Sequence, residues 1–382
     1  MIHIGVIKPW KLYLKMLNKK TMNYKKYVNI VISSIVLIVI FHFFVWHIFT
    51  KHVLLIHDDI YTGDLSRISM YAGSLYPRQS YPSKKSVTLK KEHINFKTYS
   101  TGDHKVDILT IGDSFSNAAT QGINPFYQDY IATINKCNVL NINELSGTVN
   151  YLETILVMNN NGLLDEISPH SIIVESVERF SIDRFALDIN TSIYRPYDNV
   201  VLELNRQKSM YLDKDEKINF INNQNFKALQ YNILYKFNDH AFTSGVYKAE
   251  LEKGFFTSED QSTLLFFKGD LISIFKATKM NIKKLNDNFN KVAEILKKKN
   301  IKLYFMPAPD KYTMYSKYLK NDDYPESVFF EALRKLPKKY QFIDTKKILL
   351  KELEKGVKDL YYPDDTHWSY KASEKIFSQT TF

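Results

Sequence analysis

The sequence predicts an α/β domain, a parallel sheet layered between helices, carried behind one membrane-spanning helix. Three observations predict it. Val28 to Phe49 is a run of 22 residues without Lys, Arg, Asp or Glu, long enough to cross a bilayer. Beyond about residue 100, short apolar runs of strand length alternate with segments of helical period, the signature of a parallel sheet covered on both faces. The single cysteine, Cys137, excludes an internal disulfide. A chain of 382 residues, 45% of them hydrophobic, must therefore be held by its own core.

The apolar run "VNIVISSIVLIVIFHFFVWHIF" is preceded by seven lysines and followed closely by one, Lys51. The positive-inside rule then keeps residues 1–27 in the cytoplasm, with 28–49 as the span. A secretory signal peptide has a shorter apolar core and ends at small residues. This run ends in "VWHIFTKHVLL". The prediction is an uncleaved single-pass anchor in the cell membrane, with everything beyond about residue 50 extracytoplasmic. The same lysines explain the net charge of +11. Residues 1–57 hold eight of them and no acid, which leaves +3 for the rest. With no basic motif elsewhere, nucleic acid is not an expected partner. His42 and His47, inside the span, are expected at a helix interface.

Residues 50–100 carry Pro77, Pro82 and the run "SKK" without a long apolar period, and read as a stalk that packs partly on the main domain. The main domain is expected over 101–382. "VDILTIG" is its first strand, and 117–134 is helix-compatible. "NVLNI" is the second strand, with Cys137 as a packed residue beside it. "VNYLETILVMNN" is a helix ending at Asn161-Gly162, and "SIIVESV" from 171 is the third strand. Over 180–275 the alternation breaks into a segment rich in Asn, Lys, Tyr and Phe. That is an expected insertion at a strand end, where substrate sites are commonly shaped. Its aromatic residues suit either sugar stacking or core. "IKKLNDNFNKVAEILKKKN" resumes the pattern, with Leu285, Phe289, Val292 and Leu296 at helical spacing. "IKLYFMP" is the fourth strand, "PESVFFEALRKL" a helix, "YQFID" the fifth strand and "TKKILLKELEKG" a helix. "LYYPDDTHWSYKASEKIF" is a loop running into a terminal helix.

In an open parallel sheet, ligands gather at the carboxyl ends of the strands. "DILTIGDSFSNAAT" ends its strand there on Ser114, either a nucleophile or the cap of the next helix. Among the outer histidines, His104 and His170 precede strands, His93 lies in the stalk and His240 in the insertion. Only His367 sits in a loop that reaches the carboxyl edge. No histidines have ligand spacing and no cysteine pair exists, so no metal site is expected. A serine hydroxyl needs a base, and the base needs an acceptor to fix its tautomer. Asp364-Asp365-Thr366-His367 offers the base and two candidate acceptors from one loop.

Gly112-Asp113-Ser114 early and Asp364-x-x-His367 late resemble the SGNH (GDSL-type) hydrolase superfamily. "DTHW" at 365–368, "PAPDKYTMY" at 307–315 and "VESVERF" at 174–180 resemble its polysaccharide O-acetyltransferase group, the AlgX/AlgJ type. The resemblance covers roughly 100–382. It joins the Ser-first, His-last order of ordinary SGNH hydrolases to the local wording of the acetyltransferases. It implies an SGNH-like three-layer α/β/α domain with Ser114 as nucleophile and His367 as base. Asp365 is the orienting acid by the acetyltransferase pattern, Asp364 by the hydrolase pattern. The Ser114 N–H and Gly147, in "ELSGTVN", are implied as oxyanion donors. Arg179 is expected either to bind substrate or to pair with a neighbouring glutamate, and Lys311 matches the lysine of the "PDK" segment, a second candidate for substrate binding.

The expected function is a membrane-anchored O-acetyltransferase that acylates hydroxyls of a surface or secreted polysaccharide through an acyl-serine. The alternatives are an esterase of the same fold and a glycan-binding scaffold. No acetyl-CoA motif is visible and no cofactor is expected. The resemblance implies a multispanning membrane-bound O-acyltransferase as acetyl donor.

Overall fold

The computed structural model describes residues 8–54, 63–71, 89–102, 104–117, 124–207, 219–258, 260–321 and 324–382, with the backbone alone at 8–12, 14 and 17–22. Pro77, Pro82 and "SKK" of the expected stalk lie outside the described residues, as do 118–123 of the expected 117–134 helix. The described part of that helix is Tyr127–Asn135.

Among the described residues, eight strands form two sheets: β1 (Ile94–Asn95), β2 (Ile108–Ile111), β3 (Val139–Ile142), β4 (Ser171–Val177), β5 (Val246–Glu250), β6 (Thr263–Phe267), β7 (Lys302–Ala308) and β8 (Gln341–Phe342). The main sheet has the order β1-β3-β2-β4-β7-β8, and every pairing in it is parallel. Side chains alternate between its faces, as the period of a strand requires. Leu109, Ile111, Leu140, Ile142, Ile172, Val174, Leu303 and Phe305 enter one core with the helices Tyr151–Asn160 and Lys279–Lys297. Ile108, Val139, Ile173, Val177, Tyr304 and Met306 enter the other, with Tyr127–Asn135, Thr345–Glu354 and Tyr370–Ser378. The fold is α/β, a parallel sheet between two helical layers.

The "YQFID" strand is shorter than expected. Only Gln341 and Phe342 pair, against Tyr304 and Phe305. Pro307 of β7 lies past that short edge, where its missing N–H leaves no pairing unmade on the β8 side. The chain passes from β2 to β3 on one flank and then crosses to β4 on the other. The carboxyl end of β2 is therefore the topological switch point, where open α/β sheets form their crevice.

Two segments of 50–100 join this body. β1 extends the sheet beside β3, and the short helix Asp64–Ser69 crosses the 364–366 loop through Ser66 N–H to Asp364 O at 3.2 Å. The insertion supplies both packing and a second, smaller sheet. Part of it is the hairpin β5–β6, whose Leu264 and Phe266, with Phe255 and Phe256, join the second core beside Tyr312 and Tyr315. Another part, the helix Gln224–Leu234, lies against the N-terminal helix. Phe255, Phe256 and Phe266 thus serve packing.

One helix runs Lys8–Val45 and continues as a π-helical turn, Trp46–Thr50, and a last turn, Lys51–Leu54. Residues Asn23–Leu54 are long and apolar enough to cross a membrane, with a mean hydropathy of 2.6 over their most apolar 18 residues. At the π turn, the His47 Nδ1–H takes the Phe43 carbonyl at 2.8 Å, the acceptor an α-helix reserves for its own amide. His42 faces the insertion helix, where the Asn225 amide donates to its Nδ1 at 2.7 Å.

Candidate active site

Ser114 stands in the turn that ends β2 at the switch point. The turn is closed by Ser116 N–H to Asp113 O and Asn117 N–H to Ser114 O, at 3.0 and 3.3 Å. The Asp113 carboxylate braces it, accepting from Phe115 N–H at 3.2 Å, Val177 N–H at 2.9 Å and Arg184 at 2.5 Å. Burial works against that charge, but Arg184 and the backbone donors hold Asp113 below the usual carboxylate range. On the inner side, Glu175 accepts from Asp113 N–H at 3.0 Å and Ser116 Oγ at 2.8 Å. Burial and the Asp113 charge push the Glu175 carboxyl well up. Gly112 is required by this crowding. A Cβ would lie 2.3 Å from Glu175 Oε2 and 2.2 Å from Ser116 Oγ.

The Ser114 hydroxyl meets His367. Oγ lies 2.6 Å from Nε2, and Nδ1 lies 2.6 Å from Asp365 Oδ1, which also accepts the His367 backbone N–H at 2.9 Å. His367 is buried while Ser114 stays partly open. Phe115 packs on the imidazole with ring centroids 4.6 Å apart. Burial opposes a charged imidazole, yet the Asp365 charge and hydrogen bond, with the Asp64 charge, outweigh it and raise the His367 pKa above 6.5. The base is thus stabilised as the imidazolium it must become.

Asp364 turns away from His367. Its Oδ2 accepts the Gly63 N–H at 2.8 Å, and burial first, then the Asp365 charge, lifts it to about 6. The segment it holds belongs to the active-site loop although 301 residues separate them. Asp64 N–H donates to Asp365 Oδ2 at 3.2 Å. The Asp64 carboxylate takes Thr366 N–H at 2.8 Å and Thr366 Oγ at 2.6 Å, and comes within 3.9 Å of His367 Nδ1. Burial and the Asp365 charge raise Asp64 in turn. Only glycine fits before it, since a Gly63 Cβ would lie 2.2 Å from the Asp364 carbonyl oxygen.

Lys311 is fully buried beneath this loop. Its Nζ donates to the carbonyls of Tyr362 and Pro363 at 2.7 and 2.8 Å. Burial lowers its pKa to about 8 against the pull of Asp364 and Asp365. The expected substrate contact is instead a loop support. Arg179 is also buried, paired with Asp310 at 3.0 Å and near Asp270 at 3.5 Å, so its partners are aspartates and not the expected glutamate. Its charge still reaches His367 and works against protonation there. Gly147 stays exposed in the turn after β3 with φ +76°. No hydrogen bond ties it to the serine turn among the described residues.

Among the described residues, Asp64, Asp365 and His367 form the group whose ligand atoms, within 4.8 Å of one another, could hold a metal ion. Their oxygens already accept from Thr366, the Asp64 amide and the imidazole. The arrangement can therefore move a proton from Ser114 to a buffered imidazole at the open edge of a sheet.

Sequence reasoning brought Ser114, His367 and Asp365 together because each carries a local word. It missed Asp64, Glu175 and Arg184. "VESVER" marked a strand end without showing that Glu175 points at the serine turn. "TGDLS" carries no signal toward a loop three hundred residues away.

Residues 265–379 match the family model for the SGNH hydrolase-like domain of the acetyltransferase AlgX. The matched stretch contains β7, Lys311 and the whole 364–368 loop. No curated protein and no solved structure matches the chain.

Proposed function

We propose, proceeding from an SGNH-like domain similar over 265–379 to that of AlgX, that this chain is a membrane-anchored serine O-acetyltransferase acting on polysaccharide hydroxyls outside the cytoplasm. The observation that carries the proposal is one imidazole placed 2.6 Å from Ser114 Oγ and 2.6 Å from Asp365 Oδ1. His367 Nε2 takes the Ser114 proton as Oγ attacks the acetyl carbonyl of the donor. The tetrahedral oxyanion is met by the Ser114 N–H, with Gly147 as the second donor. His367 then returns the proton to the departing donor oxygen, leaving acetyl-Ser114. A sugar hydroxyl gives its proton to the same nitrogen and attacks the acyl-enzyme. The acetyl ester forms on the sugar, and Ser114 recovers its proton. Asp365 holds the tautomer throughout.

The span at 28–49 anchors the enzyme with its lysine-rich end in the cytoplasm. The acetyl donor is a multispanning membrane-bound O-acyltransferase, as the family resemblance implies. One experiment tests the whole reading. The purified chain is given a chromogenic acetyl ester with and without oligosaccharide acceptors. Acetylated oligosaccharide is the expected product. Cleavage with acetate as the sole product would assign an esterase. No turnover by wild type would leave a glycan-binding scaffold.

A further inference from the structure

The insertion helix Gln224–Leu234 sits where a soluble enzyme has no use for it. Its first turn meets the outer part of the proposed span, with Phe226 stacked on Phe41 at a centroid distance of 4.7 Å and Asn225 bonded to His42. Further along, Ala228 packs in one cluster with Val45 and Val53, and Asn232 donates to Met70 O at 2.7 Å. The helix thus begins beside residue 41 and climbs outward. Residue 41 lies ~12 Å of helix below Phe49, the last residue of the apolar run.

A largely apolar face stays bare. Beyond its stacking on Phe41, Phe226 is still 58% exposed, and Ile233 lies on the same edge at i+7, with Gln230 between them. Phe237, in the turn after the helix, is 75% exposed. Phe220 and Ile221 are exposed just before the helix. Just after it, Ala241 and Phe242 both take left-handed backbone, φ 46° and 61°, and Phe242 is left outward. Non-glycine residues adopt that conformation at a cost, and two in succession need a reason. From Phe220 to Asn238 there is no Asp or Glu, and the two charges are Lys227 and Lys236.

We propose that this element, residues 219–242, docks the catalytic domain onto the lipid bilayer, with the Phe226 end sunk among the acyl chains and Phe237 and Phe242 at the headgroup boundary. The occupant of the bare face is lipid, because the helix is continuous with the proposed span and begins below its outer end. Aromatic side chains and lysines are the composition of that boundary, and the one acid of the element, Asp239, is engaged by His240 and Tyr324. The buried Asn225–His42 bond fits the same setting, where a polar group on each helix is satisfied by the other. The domain is then held flat against the membrane at two places, and its insertion serves as a float.

The inference rests on the membrane span proposed above, and the test separates the two. In the full chain carrying Cys137→Ala, single cysteines replace Ile35, Phe226, Phe237 or Lys298, and each is labelled with an environment-sensitive fluorophore. The proteins are reconstituted alone into phosphatidylcholine–phosphatidylglycerol vesicles with and without doxyl-labelled phosphatidylcholine. The expected result is a severalfold loss of fluorescence at 35, 226 and 237, deeper quencher positions acting more at 226 than at 237, and little loss at 298. Quenching at 35 with 226 and 237 no different from 298 would overturn the docking and leave the span. No quenching at 35 would overturn both.

Discussion

At His367 three carboxylates stand within reach of one loop, and their distances sort them. Asp365 is bonded to the imidazole at 2.6 Å, Asp64 is 3.9 Å away, and Asp364 is spent on Gly63. Replacing Asp365 by Asn should lower kcat by about 10⁴ through the wrong tautomer. Asp364→Asn should keep most of the rate, and steady-state ester cleavage by the two variants checks the ranking. The base must be neutral to accept a proton, and its pKa is raised above 6.5. Activity should therefore fall as pH drops through a midpoint above 6.5, the value of an unperturbed imidazole. Asp64→Asn removes one of the charges that raise it, so the acid limb should move to lower pH. A pH profile of kcat/KM measures both. At this scale the sequence is legible where a residue's partners are its neighbours in the chain. Asp365 and His367 are two apart, and their hydrogen bond is written in the word itself. Asp64 has no such word, because its partner is brought to it only by folding.

The loop around His367 depends on an element it does not contain. The helix Lys311–Tyr315 begins with the lysine whose ammonium caps the carbonyls of Tyr362 and Pro363. Lys311→Met takes the ammonium from both carbonyls and leaves Tyr362 O with the longer bond from Asp365 N–H at 3.4 Å, at about 1–3 kcal/mol for a buried acceptor left unmade. The expected outcome is a lower melting temperature together with a lower kcat, read on one sample by calorimetry and ester cleavage. The lysine also gives stability a slope. Its pKa is about 8 when folded and 10.5 in a free chain, so between these values the unfolded state holds more protons. Stability from this group should rise with pH across that window, and Lys311→Met should flatten the rise in denaturant titrations. Among the elements, β2, β4 and β7 were legible as near-continuous apolar runs, since a strand buried on both faces has no polar side to show. β1 is two residues long and too short for any period. β5 and β6 are joined by twelve residues without a tight-turn dipeptide, so nothing local announces the hairpin.

Across the whole molecule, the parallel α/β layering followed from counting alternations, while the strand order, the switch point and the seating of the N-terminal segments did not. Gly63 and Asp64 lie between the proposed membrane helix and the sheet, yet their contacts are with the last loop of the chain. A fragment beginning at residue 89 retains every strand of the main sheet. It is expected to melt cooperatively and to cleave a chromogenic ester more slowly than a fragment beginning at residue 55, which keeps Gly63 and Asp64. Equal rates would show that the two residues are packing alone. The same clasp sets a leash. Gly63 comes nine residues after Leu54, and a fully extended chain of that length spans at most about 32 Å. Under the proposed anchoring, Ser114 is kept within a few nanometres of the bilayer even where the helix Gln224–Leu234 lifts away. A growing glycan would meet this serine as it emerges, while a mature wall or capsule layer farther out would lie beyond its arc.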